Sequence, residues 1–134
     1  MDAESDSVSA AVIGAAIEVH RMMGPGLLES VYERCLSQEL QLRGVEHQRQ
    51  VILPINYKGV FLEHDLRIDI VVQDVLILEL KAVERILPIH EAQLLTYMKL
   101  SGMRRGLILN FNVRLLKDGI KRMVLNHNRD SQEH

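Results

Sequence analysis

The stretch of sequence that decides the fold is RIDIVVQDVLILELKAV, residues 67–83. Two apolar runs are separated by Gln73-Asp74, a pattern that predicts two strands joined by a tight turn. Side chains alternate along a strand, so Glu79 and Lys81 are predicted to share one face. Such a hairpin would bring Asp69 beside them. Charged groups seldom lie in apolar surroundings without a partner or a metal ion, so this stretch predicts a site.

The composition is typical of one globular domain. The chain has 134 residues, 47% hydrophobic and 25% charged, and we predict a single domain over 1–134 with polar ends, about 1–6 and 127–134, disordered. No apolar run could span a bilayer, and the acidic N-terminus lacks the features of a signal peptide. Cys35 is the only cysteine, which excludes intrachain disulfides and cysteine-based zinc sites. We therefore expect a cytoplasmic protein with no membrane partner.

The order of predicted elements is helix, helix, three strands, helix, two strands. Ser7 or Ser9 is predicted to cap the first helix, and Gly44 to end the second. The later elements are predicted near 46–55, 60–72 and 75–82 (strands), 89–100 (helix), and 104–111 and 120–125 (strands). A meander of strands followed by a helical crossover indicates an α/β fold.

Asp69, Glu79 and Lys81 form a candidate metal site for phosphate chemistry. Mg²⁺ takes oxygen ligands and commonly uses one or two carboxylates together with substrate phosphate, and the backbone carbonyl of Leu80 could add another oxygen. The metal would polarise the phosphate and lower the pKa of a bound water, which Lys81 could orient or deprotonate. An aspartate ten residues before a Glu-x-Lys also arises by chance, so an exposed hairpin with surface ion pairs stays open on spacing alone.

Three further positions are candidates for the same site. Gln93 and Tyr97 share one helix face and could hold a water or a base, or be an ordinary polar residue beside a half-buried tyrosine. Glu29 lies beside the apolar stripe of the second helix and could supply a third carboxylate. A first-turn glutamate favoured by the helix dipole is the simpler interpretation. We interpret His20 as a helix-end histidine rather than a ligand.

The net charge of −2 argues against a broad nucleic-acid-binding surface, but the charges are unevenly distributed. Between residues 99 and 122 a single acid, Asp118, accompanies seven basic residues: Lys99, Arg104, Arg105, Arg114, Lys117, Lys121 and Arg122. A solvated face and a track for the phosphate backbone both fit this segment. Arg67 and Arg85 flank the candidate site, where phosphate contact and a plain surface role are equally open.

Several motifs together resemble the GxxExxY proteins of the PD-(D/E)xK nuclease superfamily. They are Val19-His20, GPGLLESVY (24–32), Asp69, ELKAV (79–83) and HEAQLLTY (90–97), and the resemblance covers about 12–125. It departs from the superfamily pattern at Ile68, which stands where the proline would be. The resemblance implies a restriction-endonuclease-like core, an α/β fold with a mixed central sheet of about five strands flanked by helices.

The resemblance also implies roles for the candidate residues. Its catalytic set would be Glu29, Asp69, Glu79, Lys81, Gln93 and Tyr97. Its metal ligands would be Asp69, Glu79 and the Leu80 carbonyl, and its nucleic-acid contacts Arg67, Arg85, Lys99, Arg104 and Arg105. The expected activity is Mg²⁺- or Mn²⁺-dependent hydrolysis of phosphodiester bonds in DNA, in repair, recombination or defence. The alternative is a catalytically silent nuclease-fold module that docks nucleic acid or a protein such as a helicase or repair factor. Because the chain has no recognisable specificity domain, we expect homo-oligomerisation or a partner.

Overall fold

The computed structural model describes residues 2–63 and 65–126. Its helices are α1 (Asp2–Met23), α2 (Glu29–Leu42) and α3 (Pro88–Ser101). Its strands are β1 (His47–Ile52), β2 (Ile55–Tyr57), β3 (Val60–Leu62), β4 (Arg67–Val72), β5 (Leu76–Lys81), β6 (Arg105–Asn110) and β7 (Ile120–Val124). A short 3₁₀ helix, Leu116–Gly119, precedes β7. The predicted disorder of residues 127–134 lies outside the described residues.

Five of the strands form one mixed sheet, in the order β1-β4-β5-β6-β7, while β2 and β3 pair only with each other. Only β5 and β6 are parallel in the larger sheet, and the other neighbours are antiparallel. Parallel neighbours need a long connection, and α3 supplies it between β5 and β6. The predicted α/β fold with a five-stranded mixed sheet flanked by helices is therefore confirmed.

The helices bury the two faces of this sheet in separate clusters. On one face α1 and α2 cover Ile70, Val72, Leu76, Leu78, Leu80, Leu107 and Leu109. On the other face α3 covers Ile68, Val71, Ile77 and Ile108 with Leu94, Tyr97 and Met98. The predicted alternation along β5 is thus confirmed. The helix lies close to β6 at Gly106, where an added Cβ would come within 3.0 Å of Leu94 and Met98 side-chain atoms.

The first helix and the first two strands differ from the prediction. The prediction that Ser7 or Ser9 caps α1 was wrong, because α1 already begins at Asp2. Residues 2–6 therefore belong to α1. Before Gly14 no glycine or proline interrupts the chain, so nothing in the backbone forces a later start. The predicted strands 46–55 and 60–72 are each broken in two, giving β1 to β4.

Proline explains the first of these breaks. Pro54 has no N–H to donate, so it interrupts the ladder between β1 and β2. Beyond the hairpin, the Leu66 carbonyl accepts a hydrogen bond from the Leu53 N–H at 2.9 Å. Gly44 follows α2 with a φ of +72°, as predicted, and Gly102 follows α3 with a φ of +80°. No helix within residues 2–63 and 65–126 has the length and hydrophobicity to cross a membrane.

Candidate active site

The ladder between β4 and β5 stops where the acidic residues begin. The strands pair from Val72↔Leu76 to Ile70↔Leu78, and the same register would next place Asp69 opposite Glu79. Instead, the Leu80 N–H donates to Asp69 Oδ2 at 2.8 Å, and the Asp69 N–H donates to Glu79 Oε2 at 3.4 Å. Two carboxylates therefore occupy the gap that a backbone rung would fill.

The alternation of side chains also breaks at this point. Ile70 belongs to the cluster under α1 and α2, whereas Ile68, two residues earlier, belongs to the cluster under α3. On the neighbouring strand Gln50 faces Asp69 in the register and has a φ of +51°, in the left-handed region that non-glycine residues seldom adopt. Both strands therefore leave the regular pleat at Asp69. No sequence pattern predicts this irregularity.

Burial and crowding keep both carboxyl groups from ionising easily. Glu79 is only 5% exposed, and burial, with the nearby charge of Asp69, raises its pKa to about 8. Burial also raises the pKa of Asp69, although the hydrogen bond from the Leu80 N–H opposes the rise. Two adjacent carboxylates with raised pKa values are a high-energy pair when both are charged, and a cation between them would relieve that cost.

Lys81 ends β5 on the same face as Glu79, as predicted, and is half-buried. Its positive charge lowers the pKa of both carboxyl groups, so it lies within electrostatic reach of each. The chain beyond it is held by Asn110, whose side-chain amide donates to the Val83 carbonyl at 2.9 Å and accepts from the Val83 N–H at 3.0 Å. This bond pair continues the β5–β6 contact past the end of the strand.

The donor groups fit a hard divalent cation. Asp69 and Glu79 supply carboxylate oxygens, and the Leu80 N–H already points to Asp69. In a strand the N–H and C=O of one residue point to the same side, so the Leu80 carbonyl faces the same gap. Among the described residues, those of this site included, no group of three or more His, Cys, Asp or Glu side chains is arranged to hold a metal. Two carboxylates suffice for Mg²⁺, which keeps several waters and takes substrate phosphate.

Glu29 lies in the first turn of α2 and is exposed. Its negative charge contributes to the raised pKa of both Asp69 and Glu79, so the structure brings it within electrostatic range of the site. Tyr32 fixes the loop before it: its hydroxyl donates to the Gly24 carbonyl at 2.6 Å and accepts from the Leu27 N–H at 3.1 Å. The three-residue spacing of Glu29 and Tyr32 thus places an acid beside the residue that holds the preceding loop.

The sequence analysis missed Glu33. Its side chain is 6% exposed and accepts hydrogen bonds from Arg49 Nε at 3.0 Å and Gln50 Nε2 at 2.8 Å. Its charge also raises the pKa of Asp69, so it belongs to the surroundings of the site. The available signal was its position four residues after Glu29, which places both acids on the same side of α2.

Gln93 and Tyr97 share one face of α3, because Gln93 Nε2 donates to the Tyr97 hydroxyl at 3.2 Å. Tyr97 is 7% exposed and packs in the cluster that contains Ile77, on the sheet face that also carries Glu79 and Lys81. Their catalytic roles stay a prediction. His20 is a structural residue, as interpreted, since its Nε2 lies 2.7 Å from the Val113 carbonyl oxygen.

The structure separates the basic candidates into two groups. Arg67 begins β4 and Arg85 follows β5, so both lie at the end of the sheet that holds the site, and both are exposed. Arg105 starts β6 and pairs with Leu76, whereas Lys81 pairs with Asn110. Arg105 is therefore five residues, or roughly 17 Å along the strand, from the pair that contains Lys81. Arg105 thus lies at the opposite end of β6 from the site. The role of Lys99, Arg104 and Arg105 in nucleic-acid binding stays a prediction.

Comparison with known families agrees with this geometry. The profile of the PD-(D/E)XK nuclease superfamily matches residues 6–123. No curated protein and no solved structure gave a significant match. The match spans both carboxylates and the lysine of the candidate site, most of α1, all of α2 and α3, and the central sheet to within a residue of its end. The chain belongs to the PD-(D/E)XK nuclease superfamily.

Proposed function

We propose that this protein is a divalent-metal-dependent nuclease that hydrolyses phosphodiester bonds in DNA. The observation that carries the proposal is a pair of carboxylates, the half-buried Asp69 and the buried Glu79, which replaces a rung of the β4–β5 ladder. Such an acidic pair has no stabilising role in a sheet core, because desolvating two like charges is costly. The membership of a superfamily of nucleases supports the same conclusion.

The residues of the site divide the chemistry among them. Asp69, Glu79 and the Leu80 carbonyl would hold Mg²⁺ or Mn²⁺, with Glu29 adding negative charge at the rim. When bound, the metal would supply Lewis-acid polarisation of the phosphate and a water of lowered pKa. Lys81 would donate hydrogen bonds to the phosphate or orient the attacking water. Gln93 and Tyr97, joined by their hydrogen bond on α3, would line the same face as accessory residues.

We further propose that the chain belongs to the GxxExxY group within the superfamily. Gly26, Glu29 and Tyr32 provide the motif, and the bonds from Tyr32 to the preceding loop give it a physical role. This grouping supports DNA as the substrate and a role in repair, recombination or defence. The chain is small, and we expect it to act with a second copy or a helicase or repair partner.

The test is cleavage of labelled single- and double-stranded DNA by the purified protein in Mg²⁺, Mn²⁺ or EDTA. We expect cleavage only with metal. Glu79→Gln and Lys81→Ala should each reduce the rate about a thousandfold, because several kcal/mol of transition-state stabilisation would be lost. Glu91→Gln and Lys121→Ala are the matched controls, since these residues form a surface pair on α3 and β7 at 3.8 Å. Wild-type rates in the Glu79→Gln protein would refute the proposal.

The same assay separates this function from that of a silent docking module. A docking module would bind DNA or a protein without metal, would not cleave under any metal, and would keep its affinity in an Asp69→Asn, Glu79→Gln double variant. If the protein is a nuclease, the wild type should bind Mn²⁺ more tightly than the double variant. Calorimetry measures this difference independently of cleavage.

A further inference from the structure

The hairpin formed by β2 and β3, residues 55–62, carries exposed apolar side chains on both faces, and we call it the aromatic hairpin. Tyr57 and Val60 face each other in the register and are 62% and 59% exposed. Phe61 follows Val60, so it points to the opposite face, and it is 60% exposed. Because a two-stranded ribbon is marginally stable by itself, apolar residues on both faces indicate a surface that a partner covers.

The aromatic residues of the chain are divided between the core and this hairpin. The sequence contains three tyrosines, two phenylalanines and no tryptophan, and all five rings lie in the described residues. Tyr32 and Phe111 stack in the core with centroids 4.5 Å apart, and Tyr97 is 7% exposed. Tyr57 and Phe61 are therefore the two exposed aromatic rings of the molecule, and they lie four residues apart.

The aromatic hairpin leaves the sheet at the end that holds the candidate active site. It continues the β1–β4 pair, whose last bond joins the Leu53 N–H to the Leu66 carbonyl at 2.9 Å. Since β4 is antiparallel to β5, the start of β4 lies beside the end of β5 at Lys81. Arg67 at the start of β4 precedes Asp69 by two residues, or roughly 7 Å along the strand.

The tip of the hairpin is built to be stiff. Lys58 and Gly59 both have positive φ, +48° and +93°, as in the two-residue turns that match the twist of a hairpin. The Asn56 side chain accepts a hydrogen bond from the Gly59 N–H at 3.0 Å. The Lys58 ammonium lies 5.4 Å from the centroid of the Tyr57 ring. The hairpin thus exposes the Tyr57 ring with the Lys58 ammonium in cation–π contact with it.

We propose that the aromatic hairpin binds unpaired bases of a DNA strand, which stack on Tyr57 and Phe61 beside the active site; this inference rests on the proposed nuclease function. Every base has a π face, so stacking on such rings tolerates any sequence. Glu63 and Asp65 offset the positive charges of Lys58 and Arg67, so the hairpin and its flanking residues have no excess positive charge for phosphates. Bases rather than phosphates therefore supply the contribution of the hairpin, and that contribution should change little with salt.

The test measures binding of a short fluorescein-labelled oligothymidine strand to the full chain by anisotropy in EDTA. Tyr57→Ala and Phe61→Ala should each weaken binding about tenfold, and that ratio should persist when salt is raised. Tyr57→Phe keeps the ring and should stay within about twofold of wild type. Val60→Ala removes an equally exposed side chain without a ring and is the matched control. An abasic strand of equal length should bind the wild type and the Tyr57→Ala, Phe61→Ala double variant equally.

The outcomes separate this inference from the proposed function. If the wild type cleaves DNA and the double variant binds oligothymidine as tightly as the wild type, the inference is overturned and the proposed nuclease function stands. A wild-type protein that neither binds nor cleaves DNA would overturn both. Sedimentation tests the remaining occupant, a second copy: a wild-type dimer that becomes monomeric in the double variant would make the hairpin a self-contact and overturn base stacking.

Discussion

The two ends of the β4–β5 pair are built from the same two strands but have opposite characters. At the end near the turn, the three rungs from Val72↔Leu76 to Ile70↔Leu78 join side chains that are at most 2% exposed. At the other end, side-chain oxygens of Asp69 and Glu79 accept the backbone N–H groups. One end is a regular hydrophobic core, and the other is a gap lined by acids.

The difference shows how a sheet can hold a charged site without losing its core. A carboxylate that accepts a backbone N–H satisfies that donor and remains turned into the gap, so the strand end needs no further partner. Ionising these two carboxyl groups is unfavourable, as their raised pKa values indicate, whereas the three rungs of the regular end contain no ionisable group. The site is therefore expected to be a local source of instability that a metal ion relieves.

The largest effect should come from changing one residue at each end. Leu78→Ala creates a cavity at a fully buried position and should lower the free energy of unfolding by about 3 kcal/mol. Glu79→Gln removes a buried charge and should raise it by on the order of 2 kcal/mol at about pH 9 in EDTA. Urea denaturation followed by circular dichroism measures both. If Glu79→Gln destabilised the protein as much as Leu78→Ala, Glu79 would be a part of the structural core, and the two ends of the β4–β5 pair would not differ in character.

The pH dependence of the wild type should show the same contrast at the acidic end alone. Because folding raises the pKa of Glu79 from its ordinary value of 4.5 to about 8, the folded protein keeps a proton that the unfolded chain has lost. The corresponding stability is complete below the unfolded pKa and is lost as the pH rises towards 8, on the order of 2 kcal/mol or more. Unfolding in EDTA between these pH values measures it.

Glu79→Gln is the control for this pH dependence and should flatten the curve. Saturating Mn²⁺ should restore more stability above pH 8 than at pH 6, because the metal competes with the proton for the carboxylate. A wild-type stability that does not change between pH 5 and 9 in EDTA would mean that Glu79 is not buried as a proton-binding group.

The smallest effect should come from Glu33, which lies at the edge of the acidic end. Glu33→Gln removes a charge that acts on Asp69, and it should weaken Mn²⁺ binding about fivefold, or about 1 kcal/mol. Calorimetric titration at one pH measures it. Glu39→Gln is the matched control, since Glu39 lies on the same helix, about 9 Å further along, and pairs with Arg43 at 2.7 Å. Equal Mn²⁺ affinity of the Glu33→Gln protein and wild type would exclude Glu33 from the site.

Much of the fold and the centre of the candidate site could be predicted because their signals are local. The shared face of Glu79 and Lys81 follows from the two-residue period of a strand. The tight turn at Gln73-Asp74 sets the register that places Asp69 opposite Glu79. The helix-ending glycines were found for the same reason, since positive φ is a property of single residues.

The rest depended on contacts between segments far apart in sequence. The break in alternation at Asp69 arises where β1, β4 and β5 meet, and the burial of Glu33 depends on Arg49 and Gln50 from another strand. The distance of Arg105 from the site follows from the direction of the α3 crossover. The sequence by itself thus determined which residues alternate, turn and share a face. Only the tertiary structure decided which acids meet and which cations stay apart, because pairing between strands and helix direction are set by long-range packing.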